Sequence, residues 1–258
     1  MASTYSDDLQ LEIMTTGEKA GLWGSITNDN LKILELAASG YYTVSIAAGD
    51  LTLNLDNGSA LGDSTATGKN LMIEVTGTLA ANRSITMPTG AERIFIVKDS
   101  TVRGTSNYTI GVSNVGGSGA GIIPLPVGAT AAFYTDGTGS NAMKLLGILK
   151  EGYVTVTNGS NSPYTAVNGD VVMGVTNSSG GGTIQVTLPA SPSAGDEVTI
   201  MDTSSTGGFA SNKCTVDRNG TNILGAASNV DLTANNQAVT LIYTSNATKG
   251  WIYKTNTG

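Results

Sequence analysis

Residues 186–202 read VTLPASPSAGDEVTIMD, and residues 85–99 read ITMPTGAERIFIVKD. Each is an alternating apolar run that stops at a proline, then a glycine-bearing turn, then a second run closing on aspartate. A chain that states one pattern twice is expected to fold one unit twice, which constrains it more than any single motif does. The parallels extend beyond these stretches and keep their order. Tyr42–Ile46 (YTVSI) answers Tyr153–Thr157 (YVTVT), and Leu71–Thr78 answers Val172–Ser178. The strands that follow end at Pro88 and Pro189, and the copies close on Ala132–Thr138 (AFYTDGT) and Leu241–Ala247 (LIYTSNA). This divides the chain into an N-terminal segment, 1–40, a first β-module, 41–150, and a second, 151–258, each module large enough to hold a core.

Within the modules, short runs of period two such as Leu51–Leu55 and Ala238–Tyr243 alternate with Asn-Gly, Asp-Gly and Gly-Gly turns. That pattern predicts an all-β fold, here two tandem, similar β-sandwich or barrel-like modules. One helix is predicted before them, from Gly24 to Ser39, where Ile26, Asn30, Ile33, Leu34 and Ala37 recur at spacings of three and four. Ser25 or Thr27 can cap its start, and Gly40 follows its end. A helix this short is marginal alone in water, so its apolar stripe must dock, either on its own domain or on neighbouring subunits.

The chain has no histidine and one cysteine. It therefore lacks the side chain that titrates near neutrality, the usual partner of a serine or cysteine nucleophile, and the commonest metal ligand. Glycan cleavage needs two carboxyls facing each other roughly 5–10 Å apart. Asp196 and Glu197 are adjacent and point to opposite faces of a strand, while Asp202, Asp217 and Asp231 are scattered. Gly116–Gly121 (GGSGAG) leads into IIPLP rather than a helix, and no Lys-Ser or Lys-Thr closes it, so it reads as a loop and not a phosphate cradle. Asp217–Gly220 and Asn168–Asp170 read as β-turns rather than calcium loops. No enzyme, cofactor or metal is expected. Cys214 reads as a small buried hydrophobe in a strand. Phe209 is expected to tuck into a neighbouring module, with an exposed contact as the alternative, and Trp251 to pack in a core as it opens the last strand.

Thirteen basic against 20 acidic residues give a net charge of −7 with no basic cluster, which argues against nucleic acid as a partner. No apolar run reaches the roughly 20 residues of a membrane span, so no membrane insertion is expected. The N-terminus is acidic and polar, unlike a signal peptide. Only 13% of residues are charged, against about 25% in ordinary soluble proteins, which leaves a surface of Ser, Thr, Asn and Gly.

Two sets of residues carry a family resemblance. The opening segment Thr4–Glu12 through Thr16–Asn30, followed by Ile33–Tyr41, is one. The other is Leu188–Asp202 with Thr215–Ile223 and Ala238–Tyr243 followed by Gly250–Ile252. Together they resemble short tail-fibre and related virion structural proteins of tailed bacteriophages, especially marine ones. The resemblance implies a homotrimer located on the virion, joined to other virion proteins of the tail or head, with a host-surface glycan as a further partner. It implies a non-enzymatic tail fibre or tail appendage contributing to host attachment. A capsid decoration or cement protein is the alternative, and a carbohydrate-binding adhesive module a further one. Under this resemblance Trp23, Ile26, Leu31, Ile33 and Leu34 form a virion-attachment or trimer-core surface, or else pack within their own chain.

Overall fold

A computed structural model describes residues 4–17, 19–56, 67–103, 108–114, 121–138, 143–176 and 182–257. The chain separates into two compact units: Met1–Val102 with Tyr108–Leu125 and Thr130–Leu149, and Lys150–Gly258 with Arg103–Asn107 and Pro126–Ala129.

In the first unit, β1 (Thr4–Tyr5) pairs antiparallel with β2 (Glu12–Ile13), and α1 (Trp23–Ser39) follows. Next come β3 (Tyr41–Ser45), β4 (Leu51–Thr52), β5 (Met72–Thr78), β6 (Arg83–Thr86), β7 (Glu92–Val102) and β8 (Ile110–Ser113). Strands β3, β5 and β7 form one parallel ladder, and β4, β6 and β8 form another. The chain alternates between the two ladders and so winds as a β-solenoid of three coils. It closes with β9 (Ile123–Leu125) antiparallel on β8, β10 (Thr130–Asp136) antiparallel on β7, and β11 (Met143–Lys150) beside β10.

The second unit repeats this order. Its strands are β12 (Val154–Thr157), β13 (Tyr164–Thr165), β14 (Asp170–Val175), β15 (Ile184–Thr187) and β16 (Glu197–Asp202), then the one-turn α2 (Gly208–Ser211). They continue with β17 (Cys214–Asp217), β18 (Val230–Leu232), β19 (Ala238–Tyr243) and β20 (Trp251–Thr257). Its sheets run β12-β14-β16-β19-β20 and β13-β15-β17-β18, against β3-β5-β7-β10-β11 and β4-β6-β8-β9 in the first unit.

The all-β class is therefore observed, but the sandwich or barrel architecture is corrected to a solenoid. Parallel neighbours need a crossover longer than a tight turn. Here a strand of the opposite sheet supplies it, as β6 does between β5 and β7. A short turn after β5 looks the same whether the next strand returns beside it or turns a corner into the other sheet.

Period two decides which side chains enter each core. In the first unit Ile73, Val75, Phe95, Val97 and Phe133 of the larger sheet meet Ile85, Met87, Ile110, Val112 and Leu125 of the smaller one. Phe95 lies opposite Phe133 in register, with ring centroids 5.8 Å apart. Each such side chain contributes roughly 1.5–3 kcal/mol by burial. In the second unit Val172, Val198, Ile200 and Val239 face Ile184, Val186, Cys214 and Val216. Cys214 is fully buried in β17, and burial pushes its thiol up to about 12. Trp251 is also fully buried, and its Nε1 donates to Thr221 Oγ1 at 3.1 Å. Phe209 is not an exposed contact, nor does it seek another module: it is buried in the core of its own unit, where Gly174 leaves room for its ring.

Helix α1 begins one residue before the predicted start, and neither predicted cap forms. Leu22 occupies the N-cap without a side-chain bond, while Ser25, inside the helix, donates back to the Leu22 carbonyl at 2.8 Å. Gly40 ends the helix in an extended conformation, φ −63°, so it is not a left-handed cap. It is needed for space, because a Cβ there would stand 2.5 Å from Leu36 O and 2.6 Å from Asn70 Oδ1.

Candidate functional site

The residues that the sequence assigns to attachment or trimerisation divide by exposure, with Ile26 and Ile33 on one stripe of α1, Leu31 and Leu34 on another, and Trp23 at the first helical position. Ile26 and Ile33 are 8% and 0% exposed and pack into their own unit, whereas Trp23, Leu31 and Leu34 are 47%, 58% and 45% exposed. The inward stripe runs Ile26, Asn30, Ile33, Ala37. Asn30 fastens it: its Oδ1 accepts from Glu12 N and its Nδ2 donates to Glu12 O, both at 2.9 Å, so a side chain imitates a β-bridge to β2. The outward stripe runs Thr27, Leu31, Leu34, Ala38, all exposed. Its spacing of four, three, four is the 3.5-residue repeat by which helices seam together. The two stripes are offset by one residue, about 100° of arc, which suits a helix with two neighbours.

A polar cluster covers the outer face of the larger sheet in the same unit. Thr43, Glu74 and Lys98 lie directly opposite one another on β3, β5 and β7. The Glu74 carboxylate accepts from Lys98 at 2.7 Å, Ser100 at 2.6 Å, Tyr41 at 2.6 Å and Thr43 at 3.2 Å. The hydrogen bond from Lys98, followed by those from Ser100 and Tyr41, holds its pKa down at about 2. A carboxylate depressed in this way stabilises the fold above its unfolded pKa, near 4.5, and the contribution is lost as pH falls from there towards 2. The face is solvent-accessible, so screening keeps the effect modest. The Glu74→Gln variant is therefore expected to melt below wild type at pH 5 and to converge with it as pH approaches 2, in thermal melts at stepped pH.

Positive charge buried in the first unit is committed to the backbone. Arg93 donates to the carbonyls of Gly68, Lys69 and Asn70, and burial lowers it to about 10; Lys69 donates to the Asp56 carbonyl. In the second unit Asp170 is 2% exposed. It accepts from Tyr164 Oη at 2.7 Å, Val167 N at 2.8 Å and Val127 N at 3.3 Å. Burial pushes its pKa up to about 6 against the pull of those bonds.

The remaining sequence-named groups are separate. Asp217 and Asn219 close a turn through Asp217 Oδ1 and Asn219 N at 2.8 Å, and Asn168 Oδ1 accepts from Glu197 N at 2.9 Å. Asp202 accepts the amides of Ser204, Phe209 and Asn236, Asp231 pairs with Lys213, and Glu197 pairs with Lys254. Among the described residues no three carboxylate or cysteine side chains gather where a metal ion could sit. Residues 116–120 of the glycine-rich stretch lie outside the described residues. Among the described residues no helix is long and apolar enough to cross a membrane. Sequence reasoning missed the Glu74 cluster and the Asp170 hub. The alternation that turns Glu74 and Lys98 outward was readable, but their adjacency depends on parallel register.

No family model matches the chain, and no curated protein matches it. Among solved structures, one described as "Structure of a chaperone-substrate complex" contains a chain that aligns with 83% of this one, at 14% identity and a TM-score of 0.36. The present chain spans 32% of that chain's length, and at this TM-score the likeness carries no argument about fold or function.

Proposed function

We propose that the chain is a structural protein of a phage virion, a tail fibre or tail appendage that contributes to host attachment without catalysis. The observation that carries this reading is the outward stripe of α1. A chain built from two like solenoid units has, at its N-terminal end, a helix with one apolar stripe packed and a second, at heptad spacing, left outward. Such a stripe is self-complementary around a symmetry axis, which suits association of identical chains, with a homotrimer as the state proposed. The low charge and the absence of histidine support the same reading.

The test is the copy number and position of the protein on purified phage particles, by quantitative mass spectrometry against the major capsid protein and by antibody-gold labelling. Tens of copies confined to the tail support the appendage reading. Hundreds of copies over the head make it a capsid decoration protein, and absence from particles ends the virion reading.

A further inference from the structure

The strands of the two smaller sheets correspond row for row, and one outward row differs in character between the units. In the second unit Gln185, Thr215 and Asp231 lie side by side on β15, β17 and β18. Thr215 Oγ1 donates to Asp231 at 2.7 Å, Lys213 Nζ pairs with Asp231 at 2.6 Å, and Gln185 Nε2 donates to Thr187 Oγ1 at 3.4 Å. The corresponding row of the first unit is Ser84, Gly111 and Pro124 on β6, β8 and β9. Here Gly111 is buried beneath Ile122, whose Cγ2 occupies the space that a Cβ would need, and Pro124 carries no polar group; beside them a depression of about 330 Å³ opens.

Its floor is apolar, presented by Ile122 and Pro124, with Ile110 and Gly111 buried beneath. Its rim is polar, and Asp50, Asn82 and Arg83 are each held by hydrogen bonds that leave another group available. Asp50 Oδ1 accepts from Ser84 N at 2.9 Å, which leaves Oδ2. Asn82 Oδ1 accepts from Thr109 N at 3.0 Å, which leaves the amide NH₂. Arg83 donates Nε to Ile46 O at 2.9 Å and Nη2 to Ala47 O at 2.6 Å, which leaves Nη1. The hydroxyls of Ser84 and Thr109 make no hydrogen bond among the described residues.

We propose that this depression is a saccharide subsite, taking one neutral polyhydroxylated ring with its C–H face on Ile122 and Pro124 and its hydroxyls on the rim. An apolar floor with a few convergent, prepositioned donors and acceptors is what a small polar ligand requires. The rim carries one cation and one anion, which sum to zero and favour a neutral ring over an acidic or basic one. Donors and acceptors are both present, as hydroxyl groups demand. The proposal deepens the attachment reading by naming a ligand class, and it rests on that reading only for its biological role.

The test uses the full chain and three neutral probes, D-glucose, D-galactose and N-acetyl-D-glucosamine, followed by amide chemical shifts and titration calorimetry. N-acetylneuraminic acid and D-glucosamine serve as charged comparators. At least one neutral sugar is expected to move the Asn82, Ser84, Thr109 and Gly111 amides while those of Gln185, Thr215 and Asp231 stay still. The double variant Ser84→Ala with Thr109→Val removes only the two unengaged hydroxyls and is expected to lower affinity about tenfold with an unchanged melting temperature. Silence of these amides to all three neutral sugars overturns the proposal. So does binding that moves the second unit instead, that prefers a charged comparator, or that is indifferent to the double variant. None of these outcomes alters the particle-location result, so the subsite and the virion reading fail separately.

Discussion

Replacing Asp170 by alanine is expected to lower the stability of the second unit by about 3–6 kcal/mol, since it strands up to three donors at roughly 1–3 kcal/mol each and such losses are not fully additive. The carboxylate gathers the Tyr164 hydroxyl and the amides of Val167 and Val127 at a site almost closed to solvent, and water cannot replace it there without rearrangement. Asp170→Asn retains an acceptor oxygen and is expected to lose less. The pH dependence has the opposite sign to that of Glu74. A folded-state pKa raised to about 6 means that the native state keeps its proton where the unfolded chain, near 3.8, has released it. Its contribution to stability therefore declines as pH rises from about 4 to about 6 and is flat above. Denaturant melts followed by Trp251 fluorescence from pH 4 to 8 check this: wild type should show the decline, and the alanine variant should lie lower and lack it. A variant as stable as wild type would show that the three bonds contribute nothing net.

Charging the outward stripe of α1, with Leu31→Asp and Leu34→Asp together, is expected to dissociate the proposed homotrimer into single chains. Both residues are exposed in one chain, so the fold of the unit should survive with a melting temperature close to that of a wild-type monomer. In an assembled seam each leucine contributes roughly 1.5–3 kcal/mol, and an unpaired buried carboxylate is costlier still, so the dissociation constant should rise by at least about a hundredfold. Light scattering after size exclusion is the measurement: wild type at three times the 26.2 kDa chain mass, and the variant at one. Ile33→Asp is the contrasting variant, because Ile33 is wholly buried in its own unit and charging it should unfold α1 rather than merely separate chains. A wild-type chain that is monomeric at micromolar concentration removes the trimer and the argument drawn from the stripe.

Much of the strand pattern was legible because alternation is local. Leu71–Thr78 and Val172–Ser178 overlap β5 and β14, and Pro88 and Pro189 stand just past β6 and β15, where a missing amide ends a ladder. Helix α1 was legible for the same reason, through Ile26, Asn30, Ile33 and Ala37. Its division of labour was only half legible: the same run of apolar residues contains both stripes, and nothing local distinguishes Ile33, which is covered, from Leu34, which is not.

The sites were less accessible. Glu74 and Lys98 are 24 positions apart and meet because β5 and β7 are parallel neighbours in a particular register. Asp50, Asn82 and Thr109 come from three different coils and meet only where those coils stack, and nothing local places Ile122 over Gly111.

By itself, then, the sequence determined the all-β class, the outline of many strands and the position of α1, since periodicity, turn chemistry and proline act within a few residues. The tertiary structure alone decided solenoid over sandwich, which apolar residues of α1 stay outward, and which polar groups meet. A corner and a hairpin can be made from the same short turn, and the choice between them is settled only when strands distant in the chain find their neighbours.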